Sequence, residues 1–469
     1  MKKYFHVLLA ALVLVSIFSS CLPTTGGVIE TNTESALTST ATDIPTPTSI
    51  PAQTSVPTPV PDAIYVDPNV KLFVISPYVY GSNYGPWVAV PADMLPDAYD
   101  SGVTILRFPG GEWGDQNDLK TYQVDYFMEF CQQMNAEVNF TVRLREGTSE
   151  QAAEWVRYVN KEKGYGVRYW TIGNEPTLYS GGLNRDYDTE EFNLTWRTFA
   201  EAMKAVDPSI LLIGPEVHQY TANHSSNPKD SLGLDWMEEF LKANGDIVDI
   251  VSFHRYPFPK KMVGPNATID DLHKDVYEWD DTILYLRELI HEITGRDIPI
   301  ALTEFNSHYT KAVGGEGTPD SFYNAIWLAD VLGRLIRHNV LLVNQWMLTS
   351  IGGQGGWGLV GRGELRPSYY VYQMYKKFGD EFVYASSDDR DVSVYAALRP
   401  DGDLTILIIN LSAEQKTYPL VIEGEVGSVM EYWLFDETHL VKQVESDLLD
   451  QGVVFLPGAS MSMIVISAP

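Results

Sequence analysis

From about residue 70 to residue 380 the chain alternates short apolar runs, rich in β-branched and aromatic residues, with longer amphipathic stretches of helical period, eight times over. Parallel strands need a crossover between them, usually a helix, so this alternation is the signature of βαβ units and a parallel sheet. The runs expected as strands are LFVIS (72–76), TILRF (104–108), EVNFTV (137–142), VRYWTI (167–172), ILLIG (210–214), DIVSF (249–253), PIALT (299–303) and VLLVNQW (340–346). Helix-boundary signals fall between them: Thr148-Ser149, Pro208, Gly295, Asp320 and, after the eighth helix, Gly379. An open doubly wound sheet with so regular a repeat would usually carry a Gly-rich phosphate loop after its first strand, and the sequence has none there. The expectation is an α/β fold, a closed (β/α)8 barrel over residues 63–380.

Beyond 380 the period falls to two in DVSVYAALR, DLTILIIN, TYPLVIEG, SVMEYWLFD, GVVFLP and MSMIVIS, with turns such as Pro400-Asp401-Gly402. Residues 381–469 are therefore expected as a small antiparallel β-sandwich. They show no run of aromatic platforms, so their expected role is to pack on the barrel.

Before the barrel, residues 22–62 are dominated by Thr, Ser and Pro and read as an extended tether. Met1-Lys2-Lys3 and the apolar Val7–Phe18 read as a signal peptide. Its end, Phe18-Ser19-Ser20-Cys21, resembles a bacterial lipobox, which implies residues 1–21 as a leader and Cys21 as a lipidated anchor. The implied location is extracytoplasmic, on a bacterial cell surface, with ordinary secretion as the alternative. The other cysteine, Cys131, lies in an amphipathic stretch and is expected as a buried small hydrophobe.

The chain carries 33 Lys and Arg against 62 Asp and Glu, a formal charge of −29, which repels phosphate backbones and anionic lipid headgroups. Nucleic acid is excluded as an expected partner, and contact with membrane is expected only through Cys21. Oligomeric state is not readable from the sequence.

Functional groups of such a barrel sit where strands end and βα loops begin. The fourth expected strand runs into Gly173-Asn174-Glu175-Pro176 and the seventh into Glu304-Phe305-Asn306. Two carboxyl groups on one face of a barrel can flank a glycosidic bond: one protonates the leaving oxygen, the other attacks the anomeric carbon, and the first then activates water. Asn174, next to the acid, is suited to bond a sugar 2-hydroxyl. Taken alone, either glutamate reads equally as a helix N-terminal charge. Their joint placement makes the chemistry.

The strand-four NEP and strand-seven Glu resemble clan A of the retaining glycoside hydrolases over residues 72–380. That resemblance implies Glu175 as general acid/base and Glu304 as nucleophile. It also implies Arg107 (in LRFPGG) supporting the nucleophile, Tyr256 (in SFHRYP) hydrogen-bonding it, His254 in the polar network or on substrate, and Trp346 as the floor of the subsite for the cleaved sugar. Glu304 should then be ionised and Glu175 protonated, its pKa raised, with the two carboxyls about 5 to 5.5 Å apart. Glu112 and Glu216 follow strands two and five and are expected to line the substrate groove. The loop holding Trp357 is expected as a cleft wall. No HExxH, Cys/His cluster or EF-hand spacing occurs, so neither metal nor cofactor is expected.

YGSNYG, RFPGG, YWTIGNEP and the RPSYYVYQMYKKFG exit resemble the α-L-arabinofuranosidase and β-xylosidase/iduronidase branches of the clan. TEFN matches neither branch, and YGSNYG lacks an acidic residue of the first. An endo-β-glucanase or xylanase of the same clan, a transglycosylase, and a noncatalytic glycan-binding surface lipoprotein are the alternatives.

Overall fold

The computed structural model describes residues 60–258, 266–350, 355–425, 427–445, 449–450 and 452–469. The expected leader, Cys21 and residues 22–59 of the tether lie outside the described residues. The first strand, β1 (Ile64–Val74), is followed by eight strands that close a parallel barrel in chain order: β2 (Gly81–Asn83), β3 (Ile105–Phe108), β4 (Glu137–Val142), β5 (Tyr169–Ile172), β6 (Leu211–Val217), β7 (Ile250–Arg255), β8 (Ile300–Phe305) and β9 (Leu342–Gln345). Closure is made by β2 against β9, with Gly81 opposite Asn344 and Ser82 opposite Gln345.

One expectation fails here. The LFV of LFVIS does form a strand, but as the end of β1, which pairs antiparallel with β10 (Glu381–Ser386) and so belongs to the C-terminal sheet. The first barrel strand is instead the three-residue Gly81–Asn83, inside the YGSNYG motif. It escapes a search for apolar runs because its buried side chains are polar: Ser82 and Asn83 bond to the end of β9, Asn83 Nδ2 reaching Asn344 O at 3.1 Å.

The helices form where caps and period agree. Thr148 accepts from Gln151 N and opens Ser149–Val156, and Gly295, at φ 64°, closes Glu278–Thr294. The helix expected to start at Asp320 is capped one residue later: the Ser321 hydroxyl accepts from Asn324 N ahead of Phe322–Arg337. That helix is buried along nearly its whole length because the barrel lies on one side of it and the sandwich on the other.

The C-terminal sheet continues with β11 (Val392–Leu398), β12 (Leu404–Asn410), β13 (Lys416–Ile422), β14 (Val429–Phe435), β15 (Lys442–Gln443), β16 (Leu449–Asp450), β17 (Val453–Leu456) and β18 (Ser460–Ile466). Its strand order is β15-β14-β18-β12-β11-β10-β1-β13-β17-β16, and it encloses its own core of Ile64, Val66, Val394, Ile406, Ile408 and Ile464. It is anchored to the barrel by ring contacts and hydrogen bonds: Phe435 against Phe322, and Tyr323 and Tyr395 donating to Leu411 O and Asp330 Oδ1. Cys131 is buried, as expected.

Inside the barrel, Ile105, Tyr169, Ile213, Ile250, Ala301 and Leu342 form a separate apolar cluster. Side chains two residues apart on a strand face the same way. Two positions further along five of these strands stand Arg107, Thr171, Ser252, Thr303 and Asn344, all buried. The barrel interior therefore changes from hydrocarbon to hydrogen-bonding groups within one layer, toward the ends where the βα loops begin.

Candidate active site

Arg107, wholly buried at the end of β3, is the hub of this polar layer. Its Nη1 donates to Asn83 Oδ1 at 3.0 Å and to Glu304 Oε2 at 3.1 Å; its Nη2 donates to Asn174 Oδ1 and Glu216 Oε2, both at 2.8 Å. Tyr256 donates its hydroxyl to the other oxygen of Glu304 at 2.7 Å. His254, also fully buried, bridges two carboxylates, with Nδ1 2.9 Å from Glu175 Oε1 and Nε2 3.0 Å from Glu216 Oε2. One oxygen each of Glu175 and Glu304 and a ring nitrogen of His254 all lie within 4.8 Å of one another. Six of the seven residues singled out in the sequence thus fall into one hydrogen-bonded group. The seventh, Trp346, stands outside it: it follows β9, and Asn306, just after β8, donates its amide to Trp346 O at 2.5 Å.

Glu216 corrects the sequence reading. It does not line a groove: it is 0% exposed, with one oxygen on Arg107 and His254 and the other taking the Thr303 hydroxyl at 2.7 Å. Glu112 is the reverse case, largely exposed in the loop after β3, 3.6 Å from Arg145. Trp357 is half-buried, with Nε1 donating to His308 O at 2.8 Å.

Glu175 holds a left-handed backbone, φ 46° and ψ 56°, which costs a non-glycine residue on the order of 1 kcal/mol or more. The surrounding bonds impose it. Asn174 N donates to buried Asp115 at 2.8 Å, Tyr179 donates its hydroxyl to the same carboxylate, and Leu178 N closes onto Glu175 O at 2.9 Å. Asp115, in GGEWGDQND, is thus a positioning residue that the sequence reading passed over. Asn83, Ser252 and Thr303 were passed over too, and so was His218. Its Nδ1 lies 2.5 Å from the Thr177 hydroxyl, two residues past Glu175. GNEP and TEF stand out because a charge interrupts an apolar strand end; a Ser or Asn there gives no such signal.

Electrostatics separate the carboxyls. Burial pushes Glu216 up, but the Arg107 charge and the His254 hydrogen bond outweigh it and hold the group at about 2. Burial would lower His254, yet the surrounding Glu304, Glu175 and Glu216 carboxylates carry it up to about 9. Glu175 and Glu304 run opposite to expectation in the free enzyme. For Glu175, burial is outweighed by the hydrogen bond and charge of His254, which hold it below its ordinary value. For Glu304, burial and the Glu175 charge keep it above, against the pull of His254, Arg107 and Tyr256. The proton expected on Glu175 therefore rests, at neutral pH, on the imidazole bonded to it.

A model of the glycosyl hydrolases of family 39 matches residues 155–411, more than half of the chain. The chain belongs to glycosyl hydrolase family 39. A probable α-L-arabinofuranosidase C of Aspergillus clavatus is 22% identical over 75% of this chain and 82% of its own length. A β-xylosidase of Geobacillus stearothermophilus is 24% identical over 53% of this chain and 48% of its own. Among solved structures, the α-L-arabinofuranosidase of Thermotoga maritima has the same fold, with a TM-score of 0.67 at 19% identity over 86% of this chain and 99% of that one. So does a bifunctional glucanase-xylanase from a metagenome library, with a TM-score of 0.65 at 18% identity over 88% and 100%. The protein is a clan A glycoside hydrolase, with the barrel and sandwich that its sequence led us to expect.

Proposed function

We propose that the enzyme hydrolyses an arabinofuranosyl or xylosyl linkage of a plant-type glycan with retention of configuration, Glu304 attacking and Glu175 serving as acid and then base. The observation that carries this reading is the approach of the two carboxyl groups, with oxygens within 4.8 Å. An inverting pair stands about 6.5 to 9.5 Å apart to admit water between carboxylate and sugar, whereas a retaining pair sits at about 5 to 5.5 Å so that one oxygen reaches the anomeric carbon directly. The names of the arabinofuranosidase and xylosidase relatives support the pentose assignment.

Arg107 and Tyr256 each take one oxygen of Glu304 and fix the carboxylate for attack. As the glycosidic bond breaks, the proton on His254 Nδ1 passes to Glu175 and from Glu175 to the leaving oxygen, so the two act as one acid and Glu175 is left as a carboxylate. Once Glu304 is esterified, its negative charge is gone and Glu175 accepts a proton from water in the second step. Asn174 has its Oδ1 pinned by Arg107, leaving its amide N–H groups to donate to the sugar 2-hydroxyl.

Azide tests the roles. In Glu175→Ala, azide should restore turnover of activated aryl glycosides and yield a glycosyl azide of retained configuration. In Glu304→Ala it should yield the inverted azide, both read by NMR. The reverse pattern would exchange the two assignments, and undiminished activity in both variants would place the chemistry elsewhere. We further propose the Cys21 lipid anchor, for which the full-length protein should enter the detergent phase and Cys21→Ala should not.

A further inference from the structure

Two motifs that stood out in the sequence, YGSNYG and RFPGG, contribute little to the hydrogen bonds around the carboxylates beyond Asn83 and Arg107. Their glycines do something else. The indole of Trp87 lies on the backbone of Gly85, where a Cβ would come within 1.7 Å of the ring, and the indole of Trp346 lies over Gly111, where a Cβ would come within 2.5 Å. Both glycines are needed for close approach, and each gives one indole a bed. Trp87 stacks on Trp346 with centroids 5.9 Å apart and planes 23° apart, and also meets Trp113 at 6.2 Å and 40°. Near-parallel rings at such separations are offset rather than superposed, so each keeps part of a face open. Trp87 is 38% exposed and the other two are half-buried.

These three tryptophans follow β9, β2 and β3, which are adjacent in the barrel. Glu304 ends β8, next to β9, whereas Glu175 follows β5 and His218 follows β6, across the mouth from β2. The leaving group departs on the side of the acid, so the aromatic wall stands on the other side of the scissile bond. Indole faces bind the C–H faces of sugars, and the net charge of −29 favours a neutral chain over a polyanion.

We propose that Trp87 and Trp113 extend the floor formed by Trp346 into a binding site for at least one further sugar on the non-reducing side of the cleaved bond. The substrate is then a neutral pentose chain cut at an internal linkage. This rests on the Glu175–Glu304 reading and narrows it, since an enzyme that trims single terminal sugars has no use for such a wall.

The test uses nitrophenyl glycosides carrying one, two or three sugars of the series that the enzyme cleaves, scored by release of nitrophenol and of the intact oligosaccharide. The two-sugar substrate should exceed the one-sugar substrate in kcat/KM by about tenfold, the scale of one aromatic stacking contact. Trp87→Ala should remove most of that gain with a smaller loss on the one-sugar substrate, and Trp87→Phe should keep most of it. Release of terminal single sugars only, or an equal loss on both substrates, would overturn the proposal. No nitrophenol from any series, in protein of unchanged circular dichroism, would overturn the underlying carboxylate reading instead. Calorimetry with xylotriose in the Glu304→Ala background reads the contact without chemistry: Trp87→Ala should weaken binding about tenfold, and unchanged affinity would overturn the proposal.

Discussion

The lower and upper interior layers of the barrel stand on the same strands, two to four residues apart, and behave as different materials. The lower layer, with Ile105, Ile213, Ile250 and Leu342, is held by area and shape. The upper layer, with Arg107, Glu216, His254 and Glu304, holds buried charges that are tolerable only as a set, because each group is the counter-charge or donor of its neighbours. A substitution below leaves a small void; a substitution above leaves an ion without its partner, at several times the cost.

The largest expected effect is therefore Arg107→Ala. It strips the cation from Glu216 and Glu304 together, and we expect a loss of about 3 to 5 kcal/mol in denaturant unfolding, together with at least about a hundredfold loss in kcat/KM. A variant that folds as well as wild type would mean that the upper layer is not the interdependent set described here.

Glu216→Gln should come next. It keeps the shape of the side chain but removes one of the carboxylates that raise His254. The folded pKa of His254, about 9, lies above the unfolded value, so its stabilising contribution is complete below the unfolded value and is lost as pH rises through about 9. The alkaline limb of activity should follow the same loss of the shared proton. In Glu216→Gln both the limb and the alkaline decline of Tm should move toward neutral pH, while the acid limb moves less. A limb that stays in place would remove His254 from the proton path.

The smallest effect belongs to the lower layer: Ile213→Val should cost about 0.5 to 1.5 kcal/mol in unfolding and leave kcat/KM within about twofold. A larger kinetic loss would show that the two layers are mechanically coupled.

The same contrast explains what was legible in the sequence. Strands β3 to β9 were visible because their outward faces and lower interior positions are apolar, and Glu175 and Glu304 because a charge at the end of such a run is conspicuous. β2 was invisible: three residues whose role is to bond Arg107 and close the barrel carry no hydrophobic pattern. Glu216 was noticed but misjudged, because the same residue after the same strand is a groove wall or a buried counter-ion according to whether a cation reaches it, and Arg107 comes from a strand three places away. The polarity of the Glu175–Glu304 pair was missed because it depends on His254, whose charge is set by three carboxylates from distant segments.

The placement of β1 has a consequence for how the chain is made. Tyr65 is among the first of the described residues to be synthesised, yet its partner Ser386 comes only after the last barrel strand, and its parallel neighbour β13 later still. During synthesis β1 is thus an exposed strand with two unpaired edges, the form of chain most prone to join another copy. Its sequence, IYVDPNVKLFV, carries Asp67, Pro68, Asn69 and Lys71 at its centre, where the register against β10 slips. A proline and charges in mid-strand weaken a premature edge-to-edge pairing, so the irregularity of the finished sheet is also what guards its first strand while it waits for the last.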